Sequence, residues 1–453
     1  MEAAMSRELH LNLFVHTRGH HESAWRHPDA SPLALTDFNY YRRLADLAEG
    51  AAFDAVFLAD VLALGQRHGH SAQGGLEPLT LLGALSSVTS RIGLIATAST
   101  TYTEPYNLAR QFASLDHLSN GRVGWNIVTS WAPAAAANFG HVGQVGHGER
   151  YERAEDFLQA VTALWDSWDD DAVLDDRAGG VYFDPAKIRP IHHDGPWSKV
   201  EGPLNIPRGP QGRPVYVQAG SSEPGRRFGA TWAEAIFTAH SGKGSAKEFY
   251  SAIKQQAQAL GRRPDHVVIL PGISATIGST EAEAHRVEAE LAELNRPETG
   301  LQHLSNRFGG HDFTALPLDR PLAAGDFPDP TKVEASLSRA QGIARLALDE
   351  GLTLRQLLTR LAGARGHFAT VGTPEQIADT IDDWFQSGAA DGFNVMPPIL
   401  PAQFELFTEE VVPLLRRRGL FRSEYRGETL RQHLGLPRPE AGSPAADRAR
   451  RSA

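Results

Sequence analysis

Eight short apolar segments, each followed by an amphipathic helical pattern, most constrain what this chain can fold into. Most of them are continuous apolar runs, whereas a strand with one solvated face alternates apolar and polar residues. The predicted strands are Leu9–Val15, Ala55–Asp60, Ile92–Ser99, Val123–Thr129, Val215–Gly220, Ala235–Ala239, Val267–Ile277 and Gly392–Pro397. Such runs are typical of parallel strands covered on both faces, so the sequence predicts an α/β fold.

The helices between these strands have recognisable ends. Thr36 or Asp37 can cap one helix, and Pro105 suits the first turn of another. Thr373 and Gln376 form a capping box before a third. Eight strand–helix units favour a closed (β/α)8 TIM barrel. The alternative is an open doubly wound sheet, but nothing in the sequence marks a reversal of strand order. No GxGxxG motif opens a helix after the first strand, as a dinucleotide-binding fold would need.

Composition narrows the class of protein. The chain has 453 residues, a net charge of −10 and no cysteine. The negative charge argues against nucleic acid or an anionic membrane as the main partner, and the lack of cysteine excludes disulfides and thiolate sites. No apolar run approaches the roughly 20 residues of a membrane span, and the first residues do not resemble a secretory signal. We therefore expect a cytoplasmic enzyme.

Two segments are too long for a minimal barrel. One separates strands four and five (169–213), and the largest separates strands seven and eight (280–365). Long insertions in a compact domain are usually lids or interfaces. We predict a single domain over residues 8–436 with the 280–365 insertion as its lid, followed by a disordered tail over 437–453.

Candidate site residues follow from the carboxyl ends of the strands, where a barrel places its chemistry. Asp60 ends strand two and is either a site residue or a turn cap. Thr97 lies at the end of strand three, and Asn126 lies in strand four. Ser221 and Ser222 follow Gly220 at the start of a helix. They suit an anion or phosphate cradle, although an ordinary helix cap needs the same residues.

A second pair of candidates begins the next long helix. His147 and Tyr151 are four residues apart and therefore share one helix face. They can clamp a phosphate or the edge of a ring. The alternative is that Tyr151 belongs to the core and His147 is solvated.

Histidines after strand one raise the alternative of a metal-dependent barrel hydrolase. They include His16, His20 and His21, and His240 follows strand six. However, strand one lacks the His-x-His pattern, strand five ends in serine and strand eight contains Asn394. We therefore predict no metal site. His20, His21 and Arg26 either line the pocket, where they would attract an anionic substrate, or hold a structural turn.

Several longer motifs, taken together, resemble one family of enzymes. They are GHHESAWRHP (19–28), FDAVFLAD (53–60), the run from EPLTLLG to NIVTSW (77–131), AAANFG (135–140), ERYERAEDF (149–157), VYVQAGSSEPGRRFGA (215–230) and YRGETLRQHLGL (425–436). These motifs resemble the nitrilotriacetate monooxygenase component A and dibenzothiophene-sulfone monooxygenase group of bacterial-luciferase-like flavin monooxygenases. The resemblance covers about residues 8 to 436.

The resemblance implies a function and a cofactor. It implies a (β/α)8 oxygenase that receives reduced FMN from a separate NAD(P)H-dependent flavin reductase and oxygenates a small organic substrate with O2 through a C4a-(hydro)peroxyflavin. The implied FMN-binding residues are Asp60, Thr97, Asn126, His147, Tyr151, Ser221 and Ser222. A homo-oligomer is also implied, whereas no catalytic residue or substrate transfers. A flavin-binding protein without turnover is a further alternative.

Overall fold

The computed structural model describes residues 7–64, 69, 72–130, 132–140, 146–329 and 337–441. Its strands are β1 (His10–Val15), β2 (Ala55–Leu58), β3 (Gly93–Ser99), β4 (Val123–Val128), β5 (Val173–Asp176), β6 (Val181–Phe183), β7 (His193–Asp194), β8 (Lys199–Val200), β9 (Val215–Gln218), β10 (Ala235–Thr238), β11 (Val268–Ile277), β12 (Phe368–Gly372) and β13 (Gly392–Val395).

The α-helices of the described chain are α1 (Phe38–Gly50), α2 (Pro78–Ser86), α3 (Pro105–Leu118), α4 (Pro133–Asn138), α5 (His147–Trp165), α6 (Glu223–Trp232), α7 (Lys243–Ala259), α8 (Glu281–Glu293), α9 (Pro297–Arg307), α10 (Leu337–Asp349), α11 (Leu354–Ala364), α12 (Pro374–Gln386), α13 (Ala402–Leu406), α14 (Val412–Arg417) and α15 (Leu430–His433). Asp37 caps α1, Pro105 begins α3 and Thr373 closes a capping box on α12, as predicted.

The predicted closed barrel is confirmed. Parallel pairing runs β1-β2-β3-β4-β9-β10-β11-β13, and β13 pairs with β1 to close the ring. All eight predicted strands are present, with ends that differ from the prediction by one or two residues. The sequence reasoning missed β12, which pairs with the second half of β11. It also missed two small hairpins, β5–β6 and β7–β8, within the 169–213 insertion.

Successive side chains along the barrel strands point alternately outward and inward, and so contribute to two separate apolar clusters. On β4, Val123, Trp125 and Ile127 pack outward with the surrounding helices. The inward-facing apolar residues fill the barrel interior instead, for example Phe57 of β2 and Phe237 of β10. This period-2 division within nearly continuous apolar strands is what a ring of buried parallel strands requires.

The amino-terminal end of the barrel is closed by helix α15, which we call the C-terminal plug. Its Leu430 is fully buried and packs with the barrel interior. A Cβ added to Gly93 would lie 2.5 Å from Leu430 Cδ1, and one added to Gly124 would lie 3.2 Å from Leu430 Cδ2. Both strands therefore carry glycine where the plug enters the barrel.

The segment between β11 and β12 is a helical insertion, whose described residues form the four α-helices α8 to α11. Its own apolar cluster includes Phe308, Phe313 and Ile343. Farther along, Arg438 of the predicted disordered tail contacts the 169–213 insertion, where its guanidinium pairs with Asp170. The rest of that tail, residues 442–453, lies outside the described residues.

No helix within the described ranges is both long enough and apolar enough to cross a membrane.

Candidate functional site

One large cavity opens at the carboxyl ends of the barrel strands. Its volume is about 1630 Å³, larger than the roughly 300–1,000 Å³ of ordinary small-molecule sites. It therefore has room for a cofactor and a second small molecule. One wall comes from the helical insertion, through residues such as Asn306, Gly309 and Ile343. Of the predicted site residues, Asp60, Thr97, Tyr151, Ser221 and Ser222 line this cavity.

At one end of the cavity Tyr151 meets the start of helix α6. Its phenol is hydrogen-bonded to Ser222 and to Thr129, and burial is the main cause that raises its pKa. The phenol therefore stays protonated at neutral pH. Arg150, only 4% exposed, also lines the cavity beside it. Hydroxyl groups next to a buried guanidinium are a favourable environment for an anion.

Two glycines let the backbone approach this phenol closely. A Cβ at Gly220 would lie 2.6 Å from Tyr151 Oη, and one at Gly225 would lie 2.7 Å from it. Any side chain at either position would displace the tyrosine. The glycines are therefore required by the close approach of the β9–α6 loop to α5.

Ser222 is the helix cap that one reading of the sequence predicted, and it also lines the cavity. It is the N-cap of α6 and accepts a hydrogen bond from the Gly225 amide at 3.3 Å. It also lines the cavity, as do Ser221 and Arg226. The positive end of the α6 dipole, two serine hydroxyls and a nearby guanidinium form a site suited to a phosphate group.

Deeper in the cavity, Thr97 is held by hydrogen bonds to its neighbours. Its hydroxyl donates to the Leu58 carbonyl at 2.8 Å and accepts from Asn126 Nδ2 at 2.8 Å. Asn126 lies in register with Thr97 on the adjacent strand. It supports Thr97 and is not itself part of the cavity surface. The structure thus brings these two predicted residues together, one exposed to a ligand and one behind it.

The floor of the cavity is aromatic. Phe237 lines it and is backed by Phe14 and Phe57, with ring centroids 5.3 and 5.7 Å from that of Phe237. The His367 ring stacks on Phe237 at 5.0 Å with an interplanar angle of 4°. A flat apolar surface of this kind suits a planar heteroaromatic ring.

The structure describes the side chain of one of the two remaining predicted site residues, Asp60, and not that of the other, His147. Asp60 lines the cavity at the end of β2, where burial raises its pKa. His147 is the first residue of α5, one turn before Tyr151, but the position of its side chain lies outside what the structure describes. Its predicted contact with a ligand therefore stays a prediction.

The sequence reasoning missed several cavity residues, among them Arg150, Gln218, Phe237 and His367. Arg150 neighbours a residue that was singled out, and the inward-facing parity of β10 points to Phe237. No comparable sequence pattern points to Gln218, which packs against helix α6, or to His367, which follows the helical insertion. Their positions depend on tertiary packing.

The histidines after β1 hold a structural turn. His20 is fully buried and bonds the Phe14 carbonyl at 2.8 Å, and burial lowers its pKa to about 3. The Arg365 guanidinium binds the His20 carbonyl at 3.1 Å and so ties this turn to the end of α11. His20, His21 and Arg26 are absent from the cavity lining.

The metal-dependent alternative receives no support from the described part of the chain. It contains no group of three or more His, Asp or Glu residues placed to hold a metal ion. His240 instead contacts Thr238 at 3.0 Å and Ser245 at 3.2 Å, and burial lowers its pKa to about 4.

Comparison with known proteins agrees with this geometry. The family described as luciferase-like monooxygenase matches residues 13–391. The N-acetyl-S-(2-succino)cysteine monooxygenase of Bacillus subtilis (strain 168) is 47% identical over 96% of this chain and 98% of its own length. Nitrilotriacetate monooxygenase component A of Aminobacter aminovorans is 45% identical over 96% and 98%. The structure of a riboflavin lyase with modified FMN and riboflavin aligns with a TM-score of 0.84 at 34% identity, over 97% of this chain and 99% of that one.

Proposed function

This chain belongs to the luciferase-like monooxygenase family, and from that premise we propose that it is the FMN-dependent oxygenase component of a two-component monooxygenase. In this proposal a separate NAD(P)H-dependent flavin reductase supplies reduced FMN. The protein then inserts one oxygen atom from O2 into a small organic substrate. The observation that carries the proposal is a single cavity lined both by the hydroxyl groups and guanidinium groups near the start of α6 and by the aromatic side chain of Phe237.

The residues of the cavity fit FMN. The 5′-phosphate would lie at the start of α6, where Ser221, Ser222 and Tyr151 offer hydroxyl groups and Arg150 offers charge. The aromatic side chains of Phe237 and His367, which both line the cavity, would contact the flavin ring. Asp60 and Thr97 would contact the polar edge of the ring or the ribityl chain, which lie between these two ends.

Reduced FMN, when bound, supplies the electrons that activate O2. The protein's own residues bind the cofactor, orient it and keep water from it. The helical insertion contributes the wall that carries Ile343 and Leu346, both of which line the cavity. We propose that this wall acts as the lid over the reacting centre.

The test is a coupled assay of the purified full-length chain. The protein is combined with FMN, NADH and a generic flavin reductase, and a panel of small sulfur- and nitrogen-containing organic acids is screened by mass spectrometry. We expect a product heavier by one oxygen atom, formed only when reductase, FMN and this protein are all present. Binding of FMN without any oxygenated product would support the flavin-binding alternative, and no binding of FMN in either redox state would refute the proposal.

A further inference from the structure

The β5–β6 hairpin (173–183) carries the densest group of exposed apolar side chains in the part of the chain that the structure describes. Of the twelve large apolar side chains that are exposed there, five lie on this one hairpin. They are between 37% and 63% exposed, and they are Val173, Leu174, Val181, Tyr182 and Phe183. Single exposed residues of this kind are normal, whereas a cluster of them marks a surface that contacts another molecule.

The hairpin is apolar on both of its faces. Val173 and Phe183 are cross-strand partners and share one face, where the Phe183 ring also contacts the buried ring of Trp168 at 5.7 Å. Leu174 and Tyr182 are their neighbours along each strand, so alternation turns them to the other face. Among the described residues β5 and β6 pair only with each other, and an isolated two-stranded sheet is marginally stable in water. A further surface packed on the hairpin would therefore stabilise it.

The charges around the hairpin are balanced, although the whole chain has a net charge of −10. At the root of the hairpin the acidic residues have basic partners, in the pairs Asp169–Arg189, Asp170–Arg438 and Asp171–Lys187. At its tip the Arg177 guanidinium lies 3.6 Å from the Asp175 carboxylate, and Asp176 follows it. The hairpin therefore presents both signs of charge beside its apolar side chains. A second copy of the same surface fits this balance better than a strongly basic or acidic partner does.

The exposed apolar area is close to what the association of two copies needs. Large apolar side chains have roughly 150–250 Å² of surface each, so the exposed fractions of these five amount to about 400–500 Å² per copy. A stable interface of standard size buries roughly 800 Å² per partner. About 60% of that area is non-polar. The hairpin alone therefore supplies most of the non-polar share of one such interface.

We propose that two copies of this chain associate through their β5–β6 hairpins, packed against each other about a two-fold axis. Such a contact presents the same patch from both copies, so apolar side chains meet apolar side chains. Each Arg177 can then face Asp175 or Asp176 of the other copy. None of the five apolar residues lines the cavity, so the inference stands independently of the proposed function. It assigns a surface to the homo-oligomer that the sequence resemblance implies without locating.

The test is sedimentation velocity of the full-length protein over a range of concentrations. A double variant, Leu174→Asp with Tyr182→Asp, places carboxylates in the contact, and the two-fold symmetry doubles their number. We expect its Kd for the dimer to rise at least about 100-fold. Leu118→Asp is the matched control, because Leu118 is 67% exposed at the end of α3, and it should leave this Kd unchanged. Circular dichroism spectra check that both variants are folded.

A second measurement needs no substitution and decides the question if the double variant does not fold. Hydrogen–deuterium exchange of the unchanged protein is compared at concentrations well above and well below the Kd of the dimer. We expect slower exchange at the higher concentration in peptides that cover 173–183, and no difference in peptides that cover the end of α3.

Four results would overturn the inference. The first is a dimer that persists unchanged in the folded double variant. The second is a dimer that Leu118→Asp weakens as much as the double variant does. The third is an unchanged protein that is monomeric at every concentration, and the fourth is protection from exchange confined to another surface. A monomeric double variant beside a dimeric Leu118→Asp, with protection at 173–183, would support it.

Discussion

Replacing Tyr151 by Phe tests the phosphate site most directly. The change removes one oxygen atom and keeps the ring, whose centroid lies 5.7 Å from that of Phe228. The lost oxygen is hydrogen-bonded to Ser222 and Thr129, and in the proposed function it also binds the phosphate. A hydrogen bond to a charged group contributes about 1.5–3 kcal/mol. The Kd for FMN should therefore rise roughly 10-fold to 150-fold.

Riboflavin, which is FMN without the phosphate, gives the decisive comparison. Titrations followed by quenching of flavin fluorescence should show that Tyr151→Phe weakens FMN and leaves the Kd of riboflavin within about 2-fold, because the lost bond is to the phosphate. Tyr182→Phe removes the same oxygen from a residue that is 63% exposed on β6 and should affect neither ligand. Equal weakening of FMN and riboflavin would place the phosphate elsewhere, and so would no change in either.

Three further predictions concern stability and coupling. Leu430→Ala should lower the free energy of unfolding by about 2–5 kcal/mol. Gly124→Ala should lower it by about 1–3 kcal/mol, because its Cβ would lie 2.9 Å from Ile95 Cγ1 and 3.2 Å from Leu430 Cδ2. In urea unfolding the double variant should lose less than the sum, because the Leu430 contact is relieved; strict additivity would contradict the packing of the plug. Burial raises the pKa of Asp116 to about 6, so the folded state holds a proton that the unfolded state releases near pH 4. The contribution of Asp116 to the free energy of unfolding therefore falls as pH rises from about 4 to 6. Asp116→Asn should be more stable than the unchanged protein by about 1–3 kcal/mol at pH 8, and the difference should vanish below pH 4. A difference in stability that does not change with pH would refute this prediction. Ile343→Ala in the cavity wall should increase the H2O2 released per reduced FMN consumed, whereas Leu348→Ala, on an exposed position of the same helix, should not; unchanged H2O2 release in Ile343→Ala would count against the lid.

The barrel was predictable because its signal is local. Most of the strands are continuous apolar runs, and helix caps such as Asp37 and Thr373 depend on residues within one turn. Strand β12 was missed because its burial is mixed, and it pairs only with the outer half of β11. A strand of this kind is stabilised by its neighbour and has little pattern of its own.

The candidate site was predictable where it follows the ends of barrel strands. Ser222 and Tyr151 meet because the β9–α6 loop and the start of α5 lie at the same rim of the barrel. His367 follows a long insertion, and its stacking on Phe237 depends on how that insertion folds back. The role of Asn126 behind Thr97 depends on the register between β3 and β4, which a single strand cannot reveal.

The C-terminal plug has a consequence for the order of events in the proposed reaction. Leu430 of the plug packs with the barrel interior, as do Leu434 and Leu436 just after it. Within the described chain we therefore expect the cavity to exchange its contents through the upper rim. As far as the described residues show, cofactor and substrate would then enter through the same rim, and the molecule that binds second would hold the first in place. We expect compulsory-order kinetics in which the flavin arrives before the substrate and departs after the product. An excess of substrate should then slow flavin exchange and appear as inhibition that more reduced FMN relieves.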